Sequence, residues 1–324
     1  MEKDGIFKVK DEYFYIKTKK KVSSHDLRRI KNLHIPPAWV KIWISSQPSS
    51  SIQATGIDQG EKKQYIYHQH HIELAEQKKF LRLYDFIKAI PKLNRRLLLH
   101  EKLQPYQPYR VIATMLSIVR LLHIRAGKEH YAKVHKSYGI SSLRKKHIKF
   151  QGDTIILRFK GKSNIYHHYT LHDKKIANHL KMLYKLSGDK IFQYINDKEE
   201  IHSISDTDLN MYLQKYMGEQ FTIKDFRTYA SNFYFIKALM IETIKRTPDT
   251  EHAIKKNISR AFLSTAFYLR HTKAISKKSY IMNFAINLYM NHPSFFIDRK
   301  IKKTDDILLE ILKLYKQKLL RTRS

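Results

Sequence analysis

The segment RHTKAISKKSY, residues 270–280, carries four cationic side chains and no acid, and sets His271 nine residues ahead of Tyr280. A phenol titrates near pH 10 in water and is a poor nucleophile unless nearby positive charge favours the phenolate or its transition state. A phosphodiester substrate changes that balance. In attack at phosphorus, negative charge spreads over the nonbridging oxygens, which guanidinium forks hold bidentately. Such a reaction needs a nucleophile, two arginines and a histidine on those oxygens, and a proton donor for the departing oxygen. The chain offers Tyr280, Arg125, Arg227, His271 and Lys162. Each electrostatic donor is worth roughly 10²–10³-fold in rate and a general acid roughly 10²–10⁴-fold. Taken singly the residues prove little: Tyr280 is one of 21 tyrosines, and the arginines sit among 62 basic residues. Ser276 also has a plain role, as the N-cap of a helix carrying Tyr280 on its first turn.

The elements that must position these groups divide at about residue 77. Before it, IFKVK, YFYIK, WISS, SIQATG and KQYIYH alternate as short strands, and Pro36-Pro37 exclude a central strand between them. Beyond it the period becomes helical. Val111, Met115, Leu116, Val119 and Leu122 form one apolar face, which Gly127 is expected to end just after Arg125. HIKF, TIILRF and NIYHHYTL read as three strands, with Lys162 at a hairpin tip between Gly161 and Ser163. In FTIKDFRTYASNFYF the stripe Phe226, Tyr229, Ala230, Phe233 leaves Arg227 at its edge. The expected architecture is α+β: a small β-rich N-terminal domain (1–77), then a larger, mainly α domain (78–324) with a three-stranded antiparallel sheet.

Composition narrows the partner. The formal charge of +33 makes a compact chain repel itself until a polyanion neutralises it, and nucleic acid is the expected one. No apolar run approaches about 18 residues, so no membrane span is expected, and the N-terminus shows no leader pattern. The absence of cysteine excludes disulfides, thiolate metal sites and cysteine nucleophiles. His68, His70 and His71 lack a carboxylate array and read as a wet basic face rather than a metal site.

Several long segments occur in an order that carries a resemblance: LHIPPAWVKIWI (33–44), IQATGIDQGEKKQYIYH (52–68), IRAGKEHYAKVHKSYGISSLRKKHI (124–148), RFKGKSN (158–164), IFQYI (191–195), FTIKDFRTY (221–229) and RHTKAISKKSY. Together they resemble the type IB DNA topoisomerases, in particular the small branch of poxviruses, some giant DNA viruses and bacteria. The resemblance implies that Tyr280 attacks the scissile phosphate and becomes joined to a DNA 3′ phosphate. Arg125 and Arg227 clamp the nonbridging oxygens, His271 donates to one of them, and Lys162 protonates the leaving 5′ hydroxyl. It further implies relaxation of positive and negative supercoils by strand rotation, without ATP or a required divalent metal. The two domains would close as a clamp around double-stranded DNA, with Lys63, Gln64, Tyr65, Tyr67, Lys128 and Tyr131 facing it. A monomer suffices for one nucleophile and one strand.

Arg270 departs from the glycine many relatives carry there, and His271 follows the viral rather than the bacterial pattern. With the abundance of Lys, Ile, Tyr and Asn, this favours a large DNA virus, hence a virion or viral factory in host cytoplasm; the alternative is a bacterial cytoplasm. Two rival functions are weighed. A tyrosine recombinase shares the histidine–tyrosine spacing but typically has histidine where this chain has Lys224, and it lacks the N-terminal segments. A non-catalytic architectural DNA binder would not need all five chemical residues.

Overall fold

Strands β1 (Ile6–Val9) and β2 (Glu12–Tyr15) form a hairpin, and helix α1 (Ser24–Asn32) separates it from β3 (Val40–Ile44), β4 (Ile52–Ile57) and β5 (Lys63–Tyr67). The computed structural model that gives these elements describes residues 4–245, 247–299 and 302–321. The five strands make one antiparallel sheet in the order β2-β1-β3-β4-β5, with Ile6 opposite Ile44 and Thr55 opposite Tyr65. Alternation sends Ile6, Ile44, Ala54 and Ile66 to one face, where Ile30 of α1 packs on them. That helix is absent from the strand-by-strand reading of the sequence. Ser23 caps it by accepting from the Asp26 N–H at 3.1 Å, and Arg29 ties it to the sheet through the Ser45 carbonyl (2.7 Å) and Gln53 (3.1 Å). Gly56 is required by packing, because a Cβ there would lie 2.6 Å from the Trp39 ring.

Helix α2 (Gln69–His100) begins in this first unit, Met1–Lys79, and continues in the second, Phe80–Ser324. In the second unit, α3 (Pro108–Leu122) starts with proline at its first position and buries Val111, Met115, Leu116 and Val119. It ends earlier than Gly127 would place it. His123 takes the left-handed cap conformation (φ 53°) and donates its N–H to the Val119 carbonyl at 2.8 Å. Gly127 (φ 80°) serves the loop beyond, where a Cβ would meet the Gly139 nitrogen at 2.4 Å. After α4 (Glu129–His135) come β6 (Ile148–Gln151), β7 (Thr154–Lys160) and β8 (Tyr166–His172), antiparallel in that order, with the Lys162–Asn164 turn joining the last two.

Helix α5 (Lys174–Tyr184) is followed by a two-stranded ribbon, β9 (Gln193–Ile195) and β10 (Ile201–Ser203), then by α6 (Asp206–Met217), α7 (Ile223–Lys245) and α8 (Glu251–Leu269). The short α9 (Lys273–Ile275) runs into a π-helical turn, Ser276–Tyr280, before α10 (Asn283–Asn291), α11 (Ser294–Ile297) and α12 (Thr304–Arg321). Two apolar cores result. One gathers α3, the three-stranded sheet, α5 and α6; the other gathers α7, α8, α10 and α12. Helix α7 joins both, giving Ile223 and Phe226 to the first and Phe235, Ile236 and Leu239 to the second. Each such side chain stabilises by about 1.5–3 kcal/mol, so α7 is held along most of its length.

Candidate active site

Arg227, on the first turns of α7, is 3% exposed, beside the buried stripe that Phe226 and Ala230 belong to. One terminal nitrogen donates to the His123 carbonyl at 2.5 Å and the other to the Leu269 carbonyl at 3.0 Å. These are carbonyls at the ends of α3 and α8, which have no partner within their own helices. The guanidinium therefore fixes two connections at once: Arg125 follows His123 by two residues, and His271 follows Leu269 by two. Among the described residues no carboxylate pairs with Arg227, and its Nε is buried without a partner. Burial and then the charge of Arg125 work against its protonated form, with the Tyr280 phenol opposing them. A buried cation left like this is costly unless an anion completes it.

Tyr280 closes the π-helical turn, in which the Ile281 N–H reaches the Ser276 carbonyl at 3.2 Å. Its ring centroid lies 5.9 Å from the Arg227 guanidinium carbon, and the His271 ring meets it edge-on at 5.5 Å and 79°. Burial pushes the Tyr280 phenol up, but the charges of Arg227 and Arg125 and their hydrogen bonds outweigh it, so the phenol titrates below its ordinary value. His271 is buried, with Nε2 3.2 Å from the Ser276 hydroxyl and Nδ1 without a protein partner. Burial first, then Arg227 and Arg125, bring its pKa down to about 4, so it is neutral at pH 7.

Lys162 is exposed on its turn, yet it shares a small cavity with Arg125 and Arg227, walled by Tyr138, His167 and Tyr169. Gly161 lets the turn close on β8: a Cβ there would stand 2.4 Å from His167 Nε2. His167 in turn stacks on Tyr169 at 5.5 Å and 9° and meets its hydroxyl at 3.2 Å. Of the five side chains singled out for chemistry, four lean on one another around Tyr280, and the fifth faces Arg125 and Arg227 across the cavity. Three buried polar atoms here, Arg227 Nε, His271 Nδ1 and His123 Nδ1, lack protein partners. A tetrahedral anion with several acceptor oxygens fits such a set.

Over residues 68–290 the sequence matches the catalytic core of eukaryotic DNA topoisomerase I, and over residues 12–58 the N-terminal domain of bacterial DNA topoisomerase IB. It is 49% identical to DNA topoisomerase 1B of Acanthamoeba polyphaga mimivirus, across 98% of this chain and 97% of that protein. The chain belongs to the type IB DNA topoisomerases. DNA topoisomerase 1B of Vaccinia virus (strain Copenhagen) is 27% identical across 79% of this chain and 78% of its own. Among solved structures, the XerH site-specific recombinase bound to difH matches 69% of this chain and 58% of its own at 16% identity and a TM-score of 0.28, which is too low to bear on the fold. Family membership decides for a topoisomerase over the recombinase and architectural readings, and with it comes DNA as the substrate.

Three residues around the candidate site of this type IB enzyme escape a reading of the sequence, and a fourth, Ser276, takes a different place from the one expected. Asn232, buried on α7, donates to the Tyr280 carbonyl at 3.0 Å and accepts the Met282 N–H at 3.0 Å, pinning the chain on both sides of the tyrosine. The signal for it was a polar amide inside an apolar helical stripe. Ser276 is not the N-cap expected: it is fully buried in the π turn and faces His271, and Tyr280 ends that turn instead of opening a helix. His167 and Tyr169 alternate on β8 toward the cavity, and nothing in their local sequence marks them.

On the first unit, Lys63, Tyr65 and Tyr67 share one face of β5 and are exposed, while Ile66 enters the core. Tyr65 stacks on Tyr67 at 5.9 Å, Tyr67 on His71 at 5.5 Å, and the Lys63 ammonium lies 5.8 Å from the Tyr65 centroid. Gln64 points to the opposite face, its amide donating to Asp58 at 2.6 Å. Lys128 precedes α4 and is exposed, and Tyr131 is exposed on it beside His130 and His135. Among the described residues no group of three His, Asp or Glu side chains is arranged to hold a metal ion, and no helix is long and apolar enough to cross a membrane.

Proposed function

We propose that this topoisomerase opens one DNA strand through Tyr280. The phenol oxygen bonds to a backbone phosphorus as the bond from phosphorus to the 5′ oxygen breaks, leaving a 3′-phosphotyrosyl ester and a free 5′ hydroxyl. The phenol gives up a proton and the 5′ oxygen takes one from Lys162, so no net proton is consumed. Arg125 and Arg227 hold the nonbridging oxygens, and neutral His271 donates one N–H to them. The ester keeps the energy of the broken phosphodiester, so the same groups reseal the strand after the free end has rotated. Positive charge on the phosphate comes from the two arginines, which is why we propose that neither ATP nor a divalent ion is required.

The observation that carries the reading is the Tyr280 phenol held against Arg227 and His271, with its pKa lowered by two guanidiniums that no carboxylate among the described residues neutralises. Lys63, Tyr65 and Tyr67 on one sheet face, and Lys128 and Tyr131 at α4, supply the further DNA contacts of a clamp closed on duplex by a monomer, while Gln64, on the opposite face and bonded to Asp58, falls outside that set. The viral relatives support a virion or a viral factory in host cytoplasm as the place of action.

The test is Tyr280→Phe. Relaxation of plasmids of either supercoil sign, assayed in EDTA without ATP, is expected to vanish together with the detergent-trapped adduct, while duplex affinity stays within about threefold of wild type. An adduct that persists, or affinity lost in parallel with relaxation, would remove the nucleophile from Tyr280.

A further inference from the structure

Arg270 stands immediately before His271 in a place built for glycine. It caps α8 in the left-handed conformation (φ 52°, ψ 56°), its N–H reaching the Ala266 and Phe267 carbonyls. Side chains rarely adopt that backbone, and glycine adopts it freely. The arginine side chain is nevertheless well braced. Its guanidinium carbon lies 5.2 Å from the Phe267 ring centroid and 5.9 Å from that of Tyr169. Phe267 is 66% exposed, a large ring left in water on the side where the guanidinium rests. Tyr169 walls the cavity that holds Arg125, Arg227 and Lys162. Among the described residues no carboxylate pairs with Arg270.

We propose that Arg270 is a positioning residue that clamps a DNA phosphate next to the one attacked by Tyr280. The proposal rests on the reading of Tyr280 and its arginines as a phosphodiester site. A guanidinium lying against aromatic rings keeps its N–H edges free, and the rings remove much of the rotational freedom it would otherwise lose on binding. Its place is beside the reacting phosphate rather than on it. Tyr280 is held against Arg227 and His271, whereas the Arg270 guanidinium rests on Phe267 and on Tyr169 at the wall of the cavity. The left-handed strain at residue 270 is therefore a stability cost carried for a contact made only when DNA is bound.

The test compares Arg270→Gly, Arg270→Ala and Arg270→Lys. Equilibrium binding to a duplex is measured against salt concentration in a Tyr280→Phe background, where no covalent capture intervenes, and single-turnover cleavage is measured at saturating enzyme with Tyr280 intact. Loss of one phosphate contact is expected to weaken binding and to make the log–log salt slope shallower by about 0.9 for Gly and Ala. Lys should keep the slope and lose part of the affinity. Cleavage at saturation should stay within about threefold, as for lost binding shared by ground and transition states. Arg270→Gly should melt no lower than wild type, since the strain is relieved, which separates a lost contact from a damaged fold. Unchanged affinity and slope in both Gly and Ala would overturn the proposal, as would a cleavage defect of about a hundredfold at saturation with the slope intact. If Tyr280→Phe still forms an adduct, the site reading itself fails, and the slope then reports on Arg270 alone.

Discussion

The Tyr280 phenol is pulled two ways. Burial raises its pKa; Arg227 and Arg125 lower it by more. The two arginines are not equivalent probes of that balance. Truncating Arg227 leaves the His123 and Leu269 carbonyls unpaired in the interior, at about 1–3 kcal/mol each, so its variants mix stability with chemistry. Arg125 is half-buried, and among the described residues it holds no comparable pair of carbonyls. Arg125→Leu is expected to move the phenol titration to higher pH, because removing a cation disfavours the phenolate, and to slow cleavage by roughly 10²–10³-fold. Ultraviolet difference titration of the free enzyme against its Tyr280→Phe counterpart reads the first effect directly. A titration that stays in place would mean that the Arg125 charge does not reach the nucleophile.

Helix ends and one hairpin carry the site, more than helix faces do. Arg125, Arg227, His271 and Tyr280 lie just past α3, at the start of α7, just past α8 and at the end of a π turn, where backbone groups are free to be recruited. The hairpin tip of Lys162 was legible from Gly161 and Ser163 between two β-patterned runs, and the three strands fall close to where their alternation put them. The exact ends were less legible. Gly127 looked like the stop of α3, but the left-handed residue is His123, because its carbonyl and ring are engaged by Arg227 and Tyr234 from α7. Ser276 looked like a cap, but its hydroxyl is committed to His271. At this scale Gly161→Ala is the informative change. The new Cβ would collide with His167 Nε2, tilt the turn, and displace Lys162, lowering cleavage by about a hundredfold as a 1 Å misplacement does. A strand whose leaving 5′ oxygen is replaced by sulfur needs little protonation and should recover most of the rate. Wild-type cleavage of the ordinary strand by this variant would show that the hairpin base does not set the lysine.

At the scale of the whole molecule, burial governs five of the 18 histidines. His123, His147, His167, His179 and His271 are each brought down to about 4, with burial the largest cause. They are neutral when folded and titrate near 6.5 when unfolded, so between those values the unfolded chain binds more protons. The stability they contribute is complete above about pH 6.5 and is lost as pH falls toward about 4. Added protons also raise a charge that is already +33, in the same direction. Melting temperatures of the DNA-free enzyme should therefore fall steadily from pH 6.5 to 4, and a flat profile would contradict the buried, neutral histidines. Duplex DNA should raise the melting temperature, and less so as salt increases.

By itself the sequence determined the class of partner through its charge, the excluded chemistries through its lack of cysteine, and the family through segments long enough to mark it, the same segments from which the nucleophile, arginines, histidine and lysine are proposed. Those are properties of composition and of contiguous residues. Tertiary structure alone decided which cation is buried and which stays at the surface, and it recruited Asn232, Ser276, His167 and Tyr169 to the site. Arg227 meets a carbonyl 104 residues away and Asn232 a carbonyl 48 away. Periodicity assigns a side chain to a face of its own helix, and it holds no information about which distant helix end that face will meet.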